Sequence, residues 1–490
     1  MTPAEGGGAS GGGASSRRLR RDLGTLESYA VLVGILVGAG IFRVTSDAWA
    51  LTGPSLILAY LVLVPAVLAT SVAYAVFLST PLGREPGGEY THISRTFGGS
   101  RVAFVGAWLK VISYVGALAY LANAFGDYAA RLPGAPVHGE TGRLALAVGS
   151  LVFFYLAHVA GVRWFGRLQV AMGALLGVSL VVLVVPGLFA VRPSNYVPFF
   201  THGARGFAAS LVPLFFLYAG FESLAHAAGE VRESTSRLPR VFMVGICITT
   251  AIYILMSIVA FGVLPGEALR ASRAPMSEVA AVYLPAGTSL IVTLGALLAL
   301  ATSLNATMLV PSRLGVMLAD DRLAPRWLGA VWARTGTPVR GLTVTLAAAA
   351  LLLVSGQISL ALNIAVLALV VLYFLHSLAL FMLPRKNPEL FRRITVRIPP
   401  AAQRLAALVS MAAMAGLLWM QVGEDLRAIR GRGLRERLAG QSLTSLELAA
   451  AWGLAGLVMY GAGRRRAARE ARRRGFGPAM NDADQPTGGG

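Results

Sequence analysis

The stretch VLVGILVGAGIF, residues 31–42, decides how this chain can fold. It is apolar enough to lie within a membrane, but it contains Gly34, Gly38 and Gly40, and a glycine inside a helix costs about 1 kcal/mol relative to alanine. Small residues four apart let helices pack closely, so packing is one interpretation of Gly34 and Gly38. The other is that the helix is interrupted near Gly38 and Gly40, because interrupted backbone within a membrane is tolerated where it lines a cavity.

The composition indicates a membrane protein. Apolar residues make up 56% of the 490 residues and charged residues 13%, whereas charged residues are about a quarter of a typical soluble domain. The apolar residues lie in blocks of about 20, the length of helix that crosses a bilayer core. We therefore predict an all-α, polytopic membrane protein with about twelve transmembrane helices.

Hydropathy, compared with the positions of Gly, Pro and Arg, locates these twelve predicted spans. They lie near 27–50, 54–79, 102–131, 143–161, 166–190, 207–230, 241–263, 285–318, 341–356, 358–383, 402–422 and 443–463. Residues 1–26 are predicted to be a flexible tail, and residues 464–490 a basic, disordered tail. The division between the ninth and tenth spans, near Gly356, has the least support.

The distribution of basic residues predicts the orientation. Of the 43 Lys and Arg residues, 29 fall in connections on the side of the N-terminus. This excess predicts that both termini are cytoplasmic and that the chain lies in the plasma membrane. The net charge of +20 is therefore a topology signal, and we expect a lipid bilayer rather than nucleic acid as the partner.

A second interruption is predicted in the sixth span, LVPLFFLYAGFESLAHAAGE, residues 211–230. Pro213, Gly220 and Glu222 divide an otherwise apolar helix. Interruptions at corresponding places in spans one and six are typical of transporters built from an inverted repeat. We therefore predict a five-plus-five inverted repeat, followed by two C-terminal helices. Its parts are 27–190 for the first repeat, 207–383 for the second and 402–463 for the last two spans.

Four motifs, in order, resemble the amino acid–polyamine–organocation (APC) superfamily, and amino acid permeases in particular. They are GILVGAGIF (34–42), EYTHISRTFGGSRVAFVGAWLKVISY (89–114), LFFLYAGFESLAHAAGEVRESTSRLPR (214–240) and NATMLVPSRLGVMLADDRLAPRWLGAVWARTGTPVRG (305–341). The resemblance covers roughly residues 25–385, whereas the last two spans match by hydropathy only. It implies a broken-helix transporter of amino acids.

The resemblance also implies a substrate site at the two interruptions. The substrate carboxylate would meet backbone N–H groups near Gly38, Ala39 and Gly40, and its ammonium would meet carbonyls near Tyr218, Ala219 and Gly220. The further neighbours that it implies are Ile41, Tyr114, Phe216 and Phe221. Each of these aromatic residues has ordinary core packing as its alternative interpretation.

The chain departs from the family at two positions that bear on ion coupling. Many proton-coupled relatives carry a lysine in the fifth span, whereas residues 166–190 contain none, and Leu176 falls near that place by the family spacing. Relatives that transport cationic amino acids often carry a glutamate where this chain has Ser113. These differences leave open whether the coupling ion is a proton or sodium. We expect no cofactor and no resident metal.

Three polar features within the spans are candidates for coupling or gating. Lys110 carries a charge that is costly inside a membrane, although a lysine near a helix end can extend its amine to the surface. Glu222 can bind a proton or an ammonium group, or simply pair with a neighbouring donor. Thr302, Ser303 and Asn305 can coordinate sodium or bond to their own helix.

Two further polar features have simpler interpretations. The charged residues of the connection 80–101, Glu89 among them, are expected to form a solvated turn, with pairing in a gate as the alternative. His226 lies four residues after Glu222, within contact distance on a helix, but a lone histidine there is more often a packing residue.

An amino acid transporter is the leading hypothesis for the function, working by alternating access with proton coupling or exchange. A pocket of Phe, Leu, Ala and Gly favours a neutral amino acid, whereas Glu222 facing the substrate would favour a cationic amino acid or a polyamine. A sodium-coupled symporter is a further alternative. The sequence does not determine the oligomeric state. A channel and a non-transporting sensor on the same fold are alternatives from other classes. An enzyme is not expected, because the sequence has no Walker A or HExxH motif.

Overall fold

The computed structural model describes most of the chain. The described residues are 23–38, 45–85, 87–130, 132, 139–272, 275–285, 289–431, 433 and 443–473, without the side chains of 45–47, 216, 289 and 467–473. Residues 1–22 and 474–490, which belong to the two predicted tails, lie outside this description.

The described residues are mostly helical, and their β-type pairings are two isolated bridges, Leu23 with Val231 and Trp332 with Thr337. The first nine α-helices are α1 (Thr25–Leu36), α2 (Thr45–Thr52), α3 (Leu56–Leu78), α4 (Glu89–Phe97), α5 (Ser100–Ala129), α6 (Gly139–Val159), α7 (Val162–Phe189), α8 (Gly203–Phe215) and α9 (Ser223–His226). They are followed by α10 (Ser234–Val263), α11 (Gly266–Ala271), α12 (Pro275–Tyr283), α13 (Ser289–Asp320), α14 (Val339–Val354), α15 (Ile358–Lys386), α16 (Pro388–Arg392), α17 (Pro400–Gly431) and α18 (Ser445–Arg473).

Nine of the described helical segments are long and apolar enough to cross a membrane. Two shorter apolar helices, α1 and α14, lie in the first and ninth predicted spans. Each of the twelve predicted spans contains at least one described helix, with α8 and α9 in the sixth. The prediction of an all-α, polytopic membrane protein is therefore confirmed.

The sixth span is interrupted. Helix α8 ends at Phe215 and is followed by a 3-10 turn, Phe216–Tyr218, before the short helix α9 begins at Ser223. Between them Gly220 has a φ of 104°, a left-handed conformation that favours glycine. The interruption predicted at Gly220 is therefore confirmed.

The first span is also divided into two helices. Helix α1 ends at Leu36, and α2 begins at Thr45. Val37 and Gly38 follow α1, whereas residues 39–44 lie outside the described part of the chain. The end of α1 at Leu36, just before Gly38, agrees with the interruption predicted near that glycine.

Helix α4 enters the bundle between two glycine turns. Gly88, with a φ of 50°, precedes it, and Gly98, with a φ of 65°, ends it. A side chain on Gly88 would lie 2.8 Å from the ring of His226, so the close approach also requires glycine. These turns bury Glu89, the first residue of α4.

The last two spans lie at the periphery of the bundle. Of the most apolar stretch of α18, 11% is buried, compared with 72% in α13. Helix α18 is attached to α5 by Trp108 and Trp452, whose rings stack 4.3 Å apart and whose indole N–H groups each donate to the other residue's carbonyl at 2.7 Å.

Helix α17 is longer than predicted. It continues to Gly431, nine residues beyond the end of the eleventh predicted span at residue 422. Glu424 and Arg427 form an exposed ion pair one turn apart, a pattern that supports a helix at a membrane boundary. Residues 434–442 lie outside the described part of the chain.

Candidate functional site

A small cavity lies where the two interrupted spans meet α5, α13 and α15. Its volume is about 40 Å³, room for a few water molecules. A larger molecule could enter this space only if the surrounding helices separated. The lining residues are Ile35, Leu36, Ser113, Tyr114, Ala117, Leu121, Leu217, Ala219, Gly220, Ser303, Thr307 and Leu369.

The structure brings several of the predicted site residues to this cavity. Tyr114, Ala219, Gly220 and Ser303 line it. Gly38 lies against α13 so closely that an added side chain would overlap Ser303. The predicted neighbours Ala39, Gly40 and Ile41 lie outside the described residues, as does the side chain of Phe216.

Two other predicted site residues are placed in aromatic packing. The Tyr218 hydroxyl donates to Thr250 at 3.2 Å, and its ring meets Tyr253 edge-on. Phe221 packs against Tyr74, Phe242 and Tyr373. Neither residue is among those that line the cavity, so their described contacts are with other core residues.

A single phenol connects the two helix interruptions. The Tyr253 hydroxyl donates to the carbonyl of Leu36, at the end of α1, and lies 2.7 Å from the carbonyl of Leu217, in the turn after α8. A phenol has one hydrogen, so the two carbonyls share it. Tyr253 thereby holds both ends of the site in one place.

We expect Tyr253→Phe to lower the free energy of unfolding by about 1–3 kcal/mol, because buried carbonyls lose their donor. Thermal melting of the purified protein measures this effect. Tyr283→Phe is the matched control, since the Tyr283 hydroxyl also donates to a helix carbonyl, that of Leu183 at 2.5 Å, away from both interruptions. If Tyr253→Phe and Tyr283→Phe had the same melting temperature, Tyr253 would have no special role at the two helix interruptions.

Next to the cavity is a buried ion cluster. The Lys110 ammonium donates to both carboxylate oxygens of Glu89, at 2.8 and 2.9 Å, and lies 3.6 Å from Glu222. All three side chains are at most 1% exposed. The alternative that Lys110 extends its amine to the membrane surface is therefore wrong, and so is the solvated turn expected around Glu89.

The carboxylate of Glu222 is bound directly to the span-six interruption. It accepts a hydrogen bond from the Gly220 N–H at 2.9 Å, and others from the hydroxyls of Tyr114, at 2.6 Å, and Tyr373. Glu222 therefore connects the backbone of the break to Tyr114, a residue of the cavity wall.

The cluster has room for one further proton. Two carboxylates face one ammonium, and an uncompensated charge in a buried site is costly. Burial alone would raise the pKa of Glu89, but Lys110 and His226 outweigh it and hold that pKa well below its ordinary value. Glu222 is the carboxylate farther from the ammonium, at 3.6 Å, and it is the one bonded to the span-six interruption.

Histidines surround the far side of Glu89. His226, expected to be a packing residue, lies with Nε2 2.8 Å from a Glu89 oxygen. His92 on α4 and His376 on α15 share a hydrogen bond of 3.0 Å, and Tyr74 packs against His376 while donating to Glu89. Sequence reasoning did not identify Glu89 and His92 as members of this cluster, because the polar face of an amphipathic helix is ordinarily expected to face solvent.

The predicted ion ligands of span eight bond to α1. Thr302 Oγ1 donates to the Gly34 carbonyl at 2.7 Å, and Ser303 Oγ to the Ile35 carbonyl at 2.9 Å. The Asn305 amide donates to Gln169 of α7 at 2.8 Å. Gln169 lies about two turns before Leu176, the position expected from the family spacing, and sequence reasoning did not identify it.

A multi-pass helical bundle with an interrupted sixth span beside a small cavity is typical of membrane transporters of small molecules. The model of the family described as "Amino acid permease" matches residues 23–426, and the chain belongs to that family.

Three of its curated relatives are transporters, not enzymes. The chain is 26% identical to the methylthioribose transporter of Bacillus subtilis (strain 168), over 83% of this chain and 91% of the relative. It is 24% identical to the branched-chain amino acid permease BcaP of the same organism, over 83% of this chain and 90% of the relative. It is 28% identical to the cationic amino acid transporter 1 of Arabidopsis thaliana, over 65% and 55%.

Proposed function

We propose that this protein is a secondary active transporter that moves a neutral amino acid across the plasma membrane, with both termini cytoplasmic, by alternating access coupled to a proton. The observation that carries the proposal is the contact between Glu222 and Gly220. It joins the buried ion cluster, which has room for a proton, to the backbone that forms one wall of the cavity.

The lining of the cavity supports a neutral substrate. Ala117, Leu121, Leu217 and Leu369 contribute apolar side chains. The nearest acid, Glu222, is engaged with Gly220, Tyr114 and Tyr373 and lies within 3.6 Å of Lys110. A cationic side chain would therefore find no free carboxylate among the described lining residues. The branched-chain permease among the relatives is consistent with this preference.

Uptake into liposomes tests the proposal. The purified protein is offered labelled neutral and cationic amino acids under an inward proton gradient or an inward sodium gradient. We expect saturable accumulation of a neutral amino acid with the proton gradient alone. Accumulation of cationic amino acids only would contradict the proposed substrate, non-saturating flux would indicate a channel, and binding without uptake would indicate a sensor.

Replacing Glu222 with glutamine should abolish acceleration by the proton gradient while leaving exchange of internal for external substrate. The amide preserves the size of the side chain, and the Tyr114 hydroxyl can accept from it, because that hydroxyl also lies 2.9 Å from Ser223 Oγ. Uptake of E222Q that still rises with the proton gradient would remove Glu222 from the coupling mechanism.

A further inference from the structure

The chain between α15 and α17 is strongly basic. Residues 385–404 contain six basic side chains and one acid, Glu389. All six are exposed, and within the described part of the chain none of them forms an ion pair or a side-chain hydrogen bond. Their charge is therefore available to a partner. The six are Arg385, Lys386, Arg392, Arg393, Arg397 and Arg404.

The opposite side of this segment is apolar and packs on the bundle. Over residues 393–398, exposed and partly buried side chains alternate. Ile394, Val396 and Ile398 pack against the core, whereas Arg393 and Arg397 are exposed. Alternation with a period of two is that of an extended chain with one buried face. Packing of the apolar face therefore determines which way the arginines point.

Hydrogen bonds hold the same segment to two neighbouring helices. At the end of α3, Thr395 donates through its N–H to the Ser79 hydroxyl at 3.3 Å and through its Oγ1 to the Ser79 carbonyl at 2.7 Å. The Asn387 amide donates to the carbonyl of Arg95, on α4, at 2.9 Å. The basic side chains are thus carried on a backbone that is already ordered, so an anion bound by them pays little for ordering the chain.

The start of α17 places the segment beside the lipid-facing surface. Helix α17 is one of those long and apolar enough to cross a membrane, and Leu405 and Leu408 are 63% and 47% exposed. Arg404 lies four residues before Leu408, on the same face of the helix. The basic segment therefore meets α17 where apolar surface gives way to polar surface, which is the level of phospholipid headgroups.

We propose that the basic face of residues 385–404 binds the headgroups of anionic phospholipids. Guanidinium groups pair with phosphate oxygens through two N–H donors, and a cluster of this size beside a transmembrane helix is typical of anionic-lipid binding. The exposed leucines of α17 favour a lipid over a soluble anion, because only a lipid supplies an acyl chain to cover them. The orientation of the chain needs only the charge of this segment, whereas lipid binding also uses the fixed arrangement of its arginines.

Thermal melting in nanodiscs tests this inference. The protein is melted in phosphatidylcholine alone and in an equimolar mixture of phosphatidylcholine and phosphatidylglycerol. We expect the wild type to melt several degrees higher in the mixture, because a lipid that binds the folded state stabilises it. Arg393→Gln combined with Arg397→Gln should lose most of this rise. Melting requires no transport, so the result does not depend on the proposed function.

Arg334→Gln combined with Arg340→Gln is the matched control. It removes two exposed arginines near the connection between α13 and α14, which likewise form no ion pair within the described part of the chain. Its net charge equals that of R393Q/R397Q, and it should keep the wild-type rise. An equal loss in both double variants would show that only the total charge matters, and would overturn the assignment to residues 385–404.

A wild type that melts at the same temperature in both lipid compositions would also overturn the inference. An equal rise on adding inorganic phosphate or polyglutamate to the protein in phosphatidylcholine alone would assign the surface to a soluble anion instead of a lipid. Should R393Q/R397Q fail to fold, Arg404→Gln keeps the inference testable, and it should lose part of the rise. An R404Q variant with the full wild-type rise would contradict the lipid site at the start of α17.

Discussion

Replacing Lys110 with methionine is expected to abolish proton-driven uptake and to lower the free energy of unfolding by about 3–5 kcal/mol, the cost of removing one partner from a buried ion pair. The reason is the position of its ammonium, which contacts both oxygens of Glu89 and lies 3.6 Å from Glu222. Without it, two carboxylates share a buried site with no cation. Uptake into liposomes and thermal melting measure the two effects.

The double variant K110M/E89Q separates charge from shape. Removing the negative charge of Glu89 together with the positive charge of Lys110 leaves Glu222 as the single carboxylate of the cluster. We therefore expect the double variant to regain more than half of the melting temperature that K110M loses. Proton-driven uptake should remain absent, because the ammonium 3.6 Å from Glu222 and its carboxylate partner are both gone. If K110M melted like the wild type, the ion cluster would not stabilise the closed bundle, and the charge argument would fail.

Replacing Gly220 with valine is expected to reduce uptake at least about 100-fold, because two separate effects act on the same backbone. Its φ of 104° is strained for any other residue by about 1–3 kcal/mol, and more so for a β-branched one. An added side chain would also lie 2.8 Å from Ile35 at the end of α1. The variant should move the Gly220 N–H away from Glu222 and distort the cavity wall.

Gly173→Val is the control for this substitution. Gly173 lies on α7, and an added side chain there meets nothing within 4 Å, so uptake should stay near the wild-type rate. Ile35→Ala combined with G220V relieves the contact but not the strain, and should restore uptake only in part. Full restoration would assign the whole effect to Ile35, and wild-type uptake by G220V would contradict the role of the break.

The sequence alone determined the class of fold and the two places where spans are interrupted. Blocks of apolar residues predict the spans, because a bilayer requires about 20 of them. The glycines and the proline predict the interruptions, because they are costly in a helix unless the backbone has another use. Four motifs then sufficed to recognise the family that the match over residues 23–426 confirmed.

The tertiary structure decided which polar residues meet. Glu89 was expected in a solvated turn and is instead the closest partner of Lys110, while Gln169, rather than Leu176, joins α1 to α13. The physical reason lies in the solvent: lipid tails are as apolar as a neighbouring helix, so hydropathy does not show which face of a span points inward. The face that points inward depends on how each helix is rotated about its axis, and the packing of the whole bundle determines that rotation.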